Sequence, residues 1–166
     1  MQTKEDFLAE EALIVRNSGE IPEIAFHGSL HYLCEDPEGP LLALEERDLT
    51  LLREQALARY REIILRDLTP ENRDKSIYRG IRRSIYNWER LGKFCRRQKI
   101  RVGESLRAEV RAALLAFLCQ EAAEVEERRR CSCLNCSEEQ LRRFAGELGL
   151  AAGELPPGLR GLCRGE

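Results

Sequence analysis

The spacing of apolar residues along the chain predicts three long α-helices in its central part. The first runs from about Glu46 to Leu68, the second begins at Thr69-Pro70-Glu71 and ends before Arg101, and the third runs from about Ser105 to Arg128. In each segment apolar residues recur at intervals of three and four, the period of a helix with one buried face. The inward positions are Leu49, Leu52, Ala56, Tyr60, Ile63 and Ile64; Ile77, Ile81, Ile85, Trp88, Leu91 and Cys95; and Leu106, Val110, Ala113, Leu114, Phe117 and Leu118. Because short loops join the three segments, we expect an antiparallel three-helix bundle over residues 46–128.

The residues before the bundle predict a helix followed by a small β-hairpin. Apolar residues recur at helical spacing over residues 4–16, and the Asn17-Ser18-Gly19 stretch ends that helix. In IAFHGSLHYLC, residues 24–34, mainly apolar residues on one parity alternate with mainly polar residues on the other, which predicts a strand. The sequence Asp36-Pro37-Glu38-Gly39 fits a type I turn, and residues 41–44 would form the return strand. Residues 1–45 are therefore expected to pack as a helix and hairpin on the bundle.

The C-terminal residues 129–166 predict a cap that carries cysteines and one short helix. Ser137 to Gln140 have the pattern of a capping box, and four apolar residues at helical spacing follow before Gly149. The fold class is thus mainly α, with three parts, 1–45, 46–128 and 129–166, in one globular unit.

Composition adds an expected location. The chain has 166 residues and a formal net charge of −2. No apolar run reaches the ~20 residues needed to span a bilayer, and the acidic first residues do not form a signal peptide. We therefore expect a cytoplasmic protein that does not enter a membrane. Seven cysteines in a reducing compartment favour thiols or a metal site over disulfides.

The stretch CSCLNC brings Cys131, Cys133 and Cys136 together, and Cys133 and Cys136 have the two-residue gap of a zinc knuckle. Cys163 is the candidate fourth ligand. The three preceding arginines and the start of the following helix would both favour thiolates. Zinc is the expected metal, an iron–sulfur cluster is the alternative, and redox-active or unconnected thiols stay open. The other cysteines, Cys34, Cys95 and Cys119, fall on apolar faces and are expected in the core.

A strongly basic segment spans residues 75–101, which hold ten lysines or arginines and one acid, Glu89. Tyrosines and a tryptophan lie among these charges, a pattern typical of surfaces that bind nucleic acid. The candidate partner-binding residues are Arg79, Arg82, Arg83, Arg90, Lys93, Arg96 and Arg97. The expected partner is an acidic protein or a nucleic acid, and a homodimer is a further option. In the alternative interpretation these charges pair with carboxylates of neighbouring helices, such as Glu54, Glu62 and Asp67.

Signs of catalysis are sparse in the sequence. His27 and His31 lie four residues apart without the HExxH pattern of zinc proteases, and there is no phosphate-binding glycine loop and no GxSxG elbow. The best interpretation is a non-enzymatic binding or regulatory module with a structural zinc site and a basic helix presented to a partner. A redox or iron–sulfur protein, and an enzyme with its site near His27 and His31, are the alternatives.

Overall fold

The computed structural model describes residues 1–69, 81–128 and 138–155. They form six α-helices and one turn of 3-10 helix, with no β-strand among the described residues, so the prediction of a mainly α fold is confirmed. The elements are α1 (Lys4–Arg16), α2 (Pro22–Cys34), α3 (Glu46–Leu68), α4 (Ile81–Arg97), α5 (Glu104–Arg128), α6 (Glu138–Glu147) and the 3-10 turn η1 (Ala152–Glu154). No helix in this part of the chain is long and apolar enough to cross a bilayer.

The predicted β-hairpin is wrong, because residues 22–34 form helix α2. Its buried residues are Pro22, Phe26, Ser29 and Leu33, at steps of four, three and four, whereas Ile24 on the supposed apolar face of the strand is 63% exposed. Pro22 stands in the first turn of α2, where its fixed φ suits a helix and its missing N–H costs nothing. Residues 41–44 have no regular structure instead of forming a return strand.

The turn that follows α2 was predicted at the right place. The Gly39 N–H donates to the Asp36 carbonyl at 2.9 Å, and the Asp36 carboxylate accepts from the Glu38 N–H at 2.9 Å. A Cβ on residue 39 would lie 2.0 Å from the Tyr32 carbonyl oxygen. Only glycine therefore lets the chain turn this close to the end of α2.

The chain divides into two compact units, residues 1–62 and residues 63–166, so α3 begins in the first unit and ends in the second. In the first unit α1 packs against α2, and Leu8, Val15, Phe26, Leu33 and Leu52 are among its buried residues. The predicted division at residues 45 and 128 stays a prediction, as does the antiparallel three-helix bundle.

Polar contacts fix the ends of the helices in the first unit. Thr3 and Asp6 form a reciprocal capping box at the start of α1. The Lys4 ammonium lies 2.8 Å from the Asp48 carboxylate at the start of α3, and the Tyr60 hydroxyl on α3 donates to Glu23 on α2. These contacts tie both α1 and α2 to the first part of α3.

The second unit has the apolar stripes that the sequence predicts. Within the described residues, every predicted inward position of α4 is buried, and the Ser84 hydroxyl donates to the Ile64 carbonyl of α3 at 2.9 Å. Helix α6 packs on α4 through a buried row that contains Phe144 and Ala145. Ile77 and the predicted capping box at Ser137 lie outside the described residues.

Helices α4 and α6 end in the same way. After α6, Leu150 N–H donates to the Ala145 carbonyl at 3.0 Å, and Gly149, with φ +73°, donates to Gly146. After α4, Ile100 N–H donates to the Cys95 carbonyl at 3.0 Å, and the residue in the left-handed conformation is Lys99, with φ +57°. Both are Schellman motifs, but only the second lacks the glycine that such a cap favours.

A candidate binding surface on helix α4

Helix α4 separates an apolar face from a basic face. Ile81, Ile85, Trp88, Leu91 and Cys95 are buried, and the opposite face exposes basic residues along the whole helix. We define the α4 basic surface as Arg82, Arg83, Arg90, Lys93, Arg96 and Arg97, which are the described members of the predicted site. Arg83 and Arg90 are half-buried, and the other four are exposed.

The members of the α4 basic surface form two adjacent rows. Residues 82, 86, 89, 93 and 96 are separated by steps of four and three, as are residues 83, 86, 90, 93 and 97, so each set follows one side of the helix. The helix has 17 residues and is therefore about 25 Å long. Glu89 is the one acidic residue within it. The surface is thus an extended cationic strip, interrupted by Tyr86 and Glu89, and not a single cluster.

Two of the carboxylates named as possible partners of the basic segment, Glu62 and Asp67, have arginine neighbours outside α4, and the pairing itself stays a prediction. The Glu62 carboxylate lies 2.5 Å from Arg16 and 3.1 Å from Arg59, and Asp67 lies 3.5 Å from Arg66. Among the side chains that the structure describes, those of residues 1–69, 81–120 and 139–155 apart from residue 152, no carboxylate oxygen lies within 4.0 Å of the cationic groups of Arg82, Lys93, Arg96 and Arg97. Within that part of the chain, these four charges have no carboxylate partner.

Tyr86 lies in the middle of the strip and is 60% exposed. The Arg90 guanidinium is 5.4 Å from the centroid of the Tyr86 ring, and it also donates to the Asn87 side-chain oxygen at 3.2 Å. A cation at this distance from a ring face is attracted by the ring quadrupole. The pair places an aromatic ring and a cation side by side in the middle of the strip.

The apolar face of α4 is anchored by Trp88. Its ring centroid lies 6.1 Å from that of Phe144, and its indole N–H donates to the Glu147 carboxylate at 2.9 Å. The Arg107 guanidinium lies 6.0 Å from the Trp88 ring and donates to the Glu147 carbonyl at 2.6 Å. Side chains of α5 and α6 thus both contact the Trp88 indole. These contacts on its buried face fix the orientation of α4.

The predicted metal ligands Cys131, Cys133, Cys136 and Cys163 lie outside the described residues, as does Arg79. Of the three cysteines expected in the core, Cys95 is buried, Cys34 is half-buried and Cys119 is exposed, so the expectation for Cys119 is wrong. Cys119 lies near the end of α5, where the helix face it occupies meets solvent.

Burial raises the pKa of the Cys34 thiol, and the neighbouring Glu35 raises it further. Burial also raises the pKa of the Cys95 thiol, which the charge of Arg96 partly opposes. A raised pKa favours the neutral thiol over the thiolate at both positions.

His27 and His31 lie on α2, one helical turn apart, and not on the polar face of a strand. Both are exposed, and the His31 Nδ1 atom is 3.1 Å from the Glu35 carboxylate. The described part of the chain contains no group of three side chains placed to hold a metal ion. The histidines are thus found on an open helix surface.

A second exposed surface, which the sequence interpretation missed, lies on α1. We define the α1 outer surface as Glu5, Asp6, Glu10, Leu13 and Ile14, which are all exposed. Asp6, Glu10, Leu13 and Ile14 are related by steps of three and four and share one side of the helix, and Glu5 lies at the edge of that side. Its first half is acidic and its second half apolar, with Leu13 61% and Ile14 55% exposed. The signal in the sequence was the run of apolar residues at the end of α1. This run contains more apolar side chains than one helix face can bury.

Comparison with known families gives one match, to the family described as a repeat of unknown function, DUF7826, over residues 3–150. The chain belongs to the DUF7826 family. No curated protein and no solved structure matched the chain. The matched range contains both the α1 outer surface and the α4 basic surface, so both belong to the DUF7826 repeat itself. It also contains Cys131, Cys133 and Cys136, whereas Cys163 lies beyond it.

Proposed function

We propose that this DUF7826 protein is a non-enzymatic binding module that presents the α4 basic surface to an anionic partner. The observation that supports this most is the set of four cationic side chains, Arg82, Lys93, Arg96 and Arg97, that have no carboxylate neighbour among the described residues. A folded protein gains nothing from such a strip, because like charges on one helix face repel one another. A partner of opposite charge relieves that repulsion.

The partner is either an acidic protein surface or a nucleic acid. Salt weakens both kinds of contact, because the Debye length is only about 10 Å at 0.1 M ionic strength. The exposed Tyr86 ring, beside Arg90, offers apolar contact as well as charge. The aromatic ring would serve a nucleic-acid base or a protein side chain equally.

Retention on immobilised heparin, a polyanion of defined charge, tests the proposal. The test variant is Arg96→Ala with Arg97→Ala, which removes two charges from the exposed end of the strip. The control variant is Arg47→Ala with Arg143→Ala, which removes the same net charge from exposed side chains whose nearest carboxylates are Glu45 and Glu139. We expect the wild-type protein and the control to elute at the same salt concentration, and the test variant to elute clearly earlier.

Equal elution of the test variant and the wild type would refute the proposal, since Arg96 and Arg97 would then take no part in retention. Equally early elution of the test and control variants would also refute it, since the net charge and not the α4 basic surface would then govern retention. A melt of each variant, followed by far-UV circular dichroism, checks the fold. Both pairs of residues are exposed, so the melting temperatures should agree.

We also propose that zinc, held by Cys131, Cys133, Cys136 and Cys163, anchors the C-terminal tail of this module. The support is the two-residue gap between Cys133 and Cys136, together with the third cysteine beside them. Elemental analysis with an absorption spectrum tests this against its alternatives. About one zinc per chain, lost in Cys133→Ser with a lower melting temperature, is the expected result.

Iron with sulfide and a visible band would instead favour the iron–sulfur alternative, and the absence of metal would leave a redox role for the thiols. The enzyme alternative near His27 and His31 has the least support, because both side chains lie on an open helix surface. A turnover that is lost in His27→Ala and His31→Ala would be needed to revive it.

A further inference from the structure

We infer that the partner of the α4 basic surface is the α1 outer surface of a second copy of this chain. The inference rests on the proposed function, because it names the anionic partner that the α4 basic surface would take. It commits to a protein partner, and a nucleic acid becomes an outcome of the test.

The two units of the chain carry opposite charge. Residues 1–62 hold fourteen acidic and six basic side chains, whereas residues 63–166 hold fifteen acidic and twenty-one basic side chains. The whole chain is close to neutral, with a net charge of −2. Two copies of a molecule with one acidic and one basic unit attract each other when unlike units face. A nucleic acid offers no counterpart to the acidic unit.

The two surfaces also match in size and in the order of their side chains. The 13 residues of α1 extend about 20 Å and the 17 residues of α4 about 25 Å. In antiparallel alignment, the acidic first half of α1 meets the last turns of α4, where Lys93, Arg96 and Arg97 lie. The two helix dipoles then oppose each other, which is the favourable arrangement for neighbouring helices.

The same alignment places the apolar half of the α1 outer surface near Tyr86. Leu13 and Ile14 end α1, and Ile21 and Ile24, which are 42% and 63% exposed, begin α2 directly after the connecting loop. Exposed large apolar side chains on consecutive helices are available for contact with a protein partner. An exposed aromatic ring on the facing helix is a suitable neighbour for them.

The contact joins two different surfaces, so it is heterologous, and each copy keeps one surface of each kind free for a further copy. Such a contact generates rows or rings of copies and not a closed two-fold dimer. Head-to-tail contact of this kind is how consecutive units meet in repeat arrays, which agrees with the description of the family as a repeat.

Sedimentation velocity over a range of protein concentrations and salt concentrations tests the inference. The wild-type chain should sediment above its monomer mass of 19.1 kDa at low salt and return toward it at high salt. The α1 reversal variant is Glu5→Lys with Glu10→Lys, which leaves the Thr3–Asp6 capping box intact. The α4 reversal variant is Arg96→Glu with Arg97→Glu. Each variant alone should stay monomeric.

An equimolar mixture of the two reversal variants is the decisive sample. The reversed α1 of one variant can then bind the reversed α4 of the other. The unchanged α4 of the first variant can also bind the unchanged α1 of the second. Association should therefore return to at least the wild-type level. A variant that failed to fold could not recover in the mixture, so recovery separates loss of contact from loss of structure.

A wild-type chain that stays at 19.1 kDa at low salt and high concentration would overturn the inference. The proposed function would survive that result if the heparin test still depended on Arg96 and Arg97, and a salt-dependent shift of a single-stranded oligonucleotide would then identify nucleic acid as the partner. Self-association that neither reversal variant reduces would overturn the inference as well, because other surfaces would carry it.

Discussion

Lys99 ends helix α4 in a backbone conformation that favours glycine, and this gives a sharp test of the structure. Its φ is +57°, and it occupies the position of the Schellman motif that Gly149 occupies after α6 with φ +73°. A side chain in this region brings Cβ close to the following carbonyl oxygen. We predict that Lys99→Gly stabilises the protein and that Gly149→Ala destabilises it.

The magnitude follows from two opposing terms. Relief of the left-handed conformation is worth about 1–2 kcal/mol per residue, and the added freedom of glycine in the unfolded chain costs about 0.4–1 kcal/mol. Lys99→Gly should therefore raise the free energy of unfolding by about 0.5–1 kcal/mol. A Cβ at position 149 meets no atom within 4 Å, so Gly149→Ala should lower the free energy by a similar amount through the backbone alone.

Urea unfolding followed by tryptophan fluorescence measures both effects. Trp88 is the only tryptophan and lies in the same compact unit as Lys99 and Gly149, so its signal reports the unit that changes. With a slope of about 1–3 kcal/mol per molar urea, the midpoint should move by roughly 0.2–1 M.

Lys99→Ala is the control, because it removes the same charge and keeps the strained φ. It should leave the midpoint almost unchanged. If Lys99→Gly and Lys99→Ala unfold at the same urea concentration, the left-handed end of α4 is not present in solution, and the helix ends in another way.

Two further predictions concern single contacts. Glu147→Ala leaves the buried Trp88 indole N–H without its acceptor and should lower the free energy of unfolding by about 1 kcal/mol in the same urea experiment. Glu147→Gln keeps an acceptor and should lower it little. Equal losses in the two variants would contradict the role of this hydrogen bond. Hydrogen bonds from the Lys4 ammonium and from the Glu45 N–H hold the pKa of Asp48 below its usual range, so its contribution to stability is full at neutral pH and is lost as the pH falls through that lowered pKa. Stability as a function of pH can be followed by circular dichroism during acid unfolding. At neutral pH the wild type should be more stable than Asp48→Asn, and its stability should fall more steeply as the pH is lowered. Identical pH profiles for the two proteins would refute this.

The long helices could be predicted because each buries one continuous stripe. The spacing alone predicts that residues 81, 85, 88, 91 and 95 face inward, and all five are buried. The end of α6 was also predicted, because Gly149 is both the residue that follows the apolar row and the residue that the left-handed cap favours.

The stretch at residues 24–34 failed because its apolar residues satisfy two periods at once. Ile24, Phe26 and Leu30 share a parity, but Pro22, Phe26 and Leu33 share a helix face. The alternation that starts at Ile24 predicts a strand, whereas the spacing of three and four residues that starts at Pro22 predicts a helix. The deciding signal is Pro22 itself, which is suited to the first turn of a helix.

The α4 basic surface could be predicted because charge on a long helix is visible without knowing what lies beside it. The α1 outer surface could not be predicted in this way. Leu13 and Ile14 are of the same residue types as the core residues and differ from them only because no other described part of the chain buries them. Whether an apolar side chain is buried depends on the angle at which α1 meets α2, and residue spacing does not fix that angle.

Because Trp88, Phe144 and Glu147 hold the inner face of α4, its outer face is free to carry charge at little cost in stability. The two faces are separated by the helix itself, so a change at Arg96 or Arg97 removes no buried contact and a change at Glu147 removes no exposed charge of the α4 basic surface. Binding and stability should therefore vary independently along this one helix. A variant of the outer face that lost stability and binding together would show that the basic strip is part of the internal structure, and the proposals on its partner would fail with it.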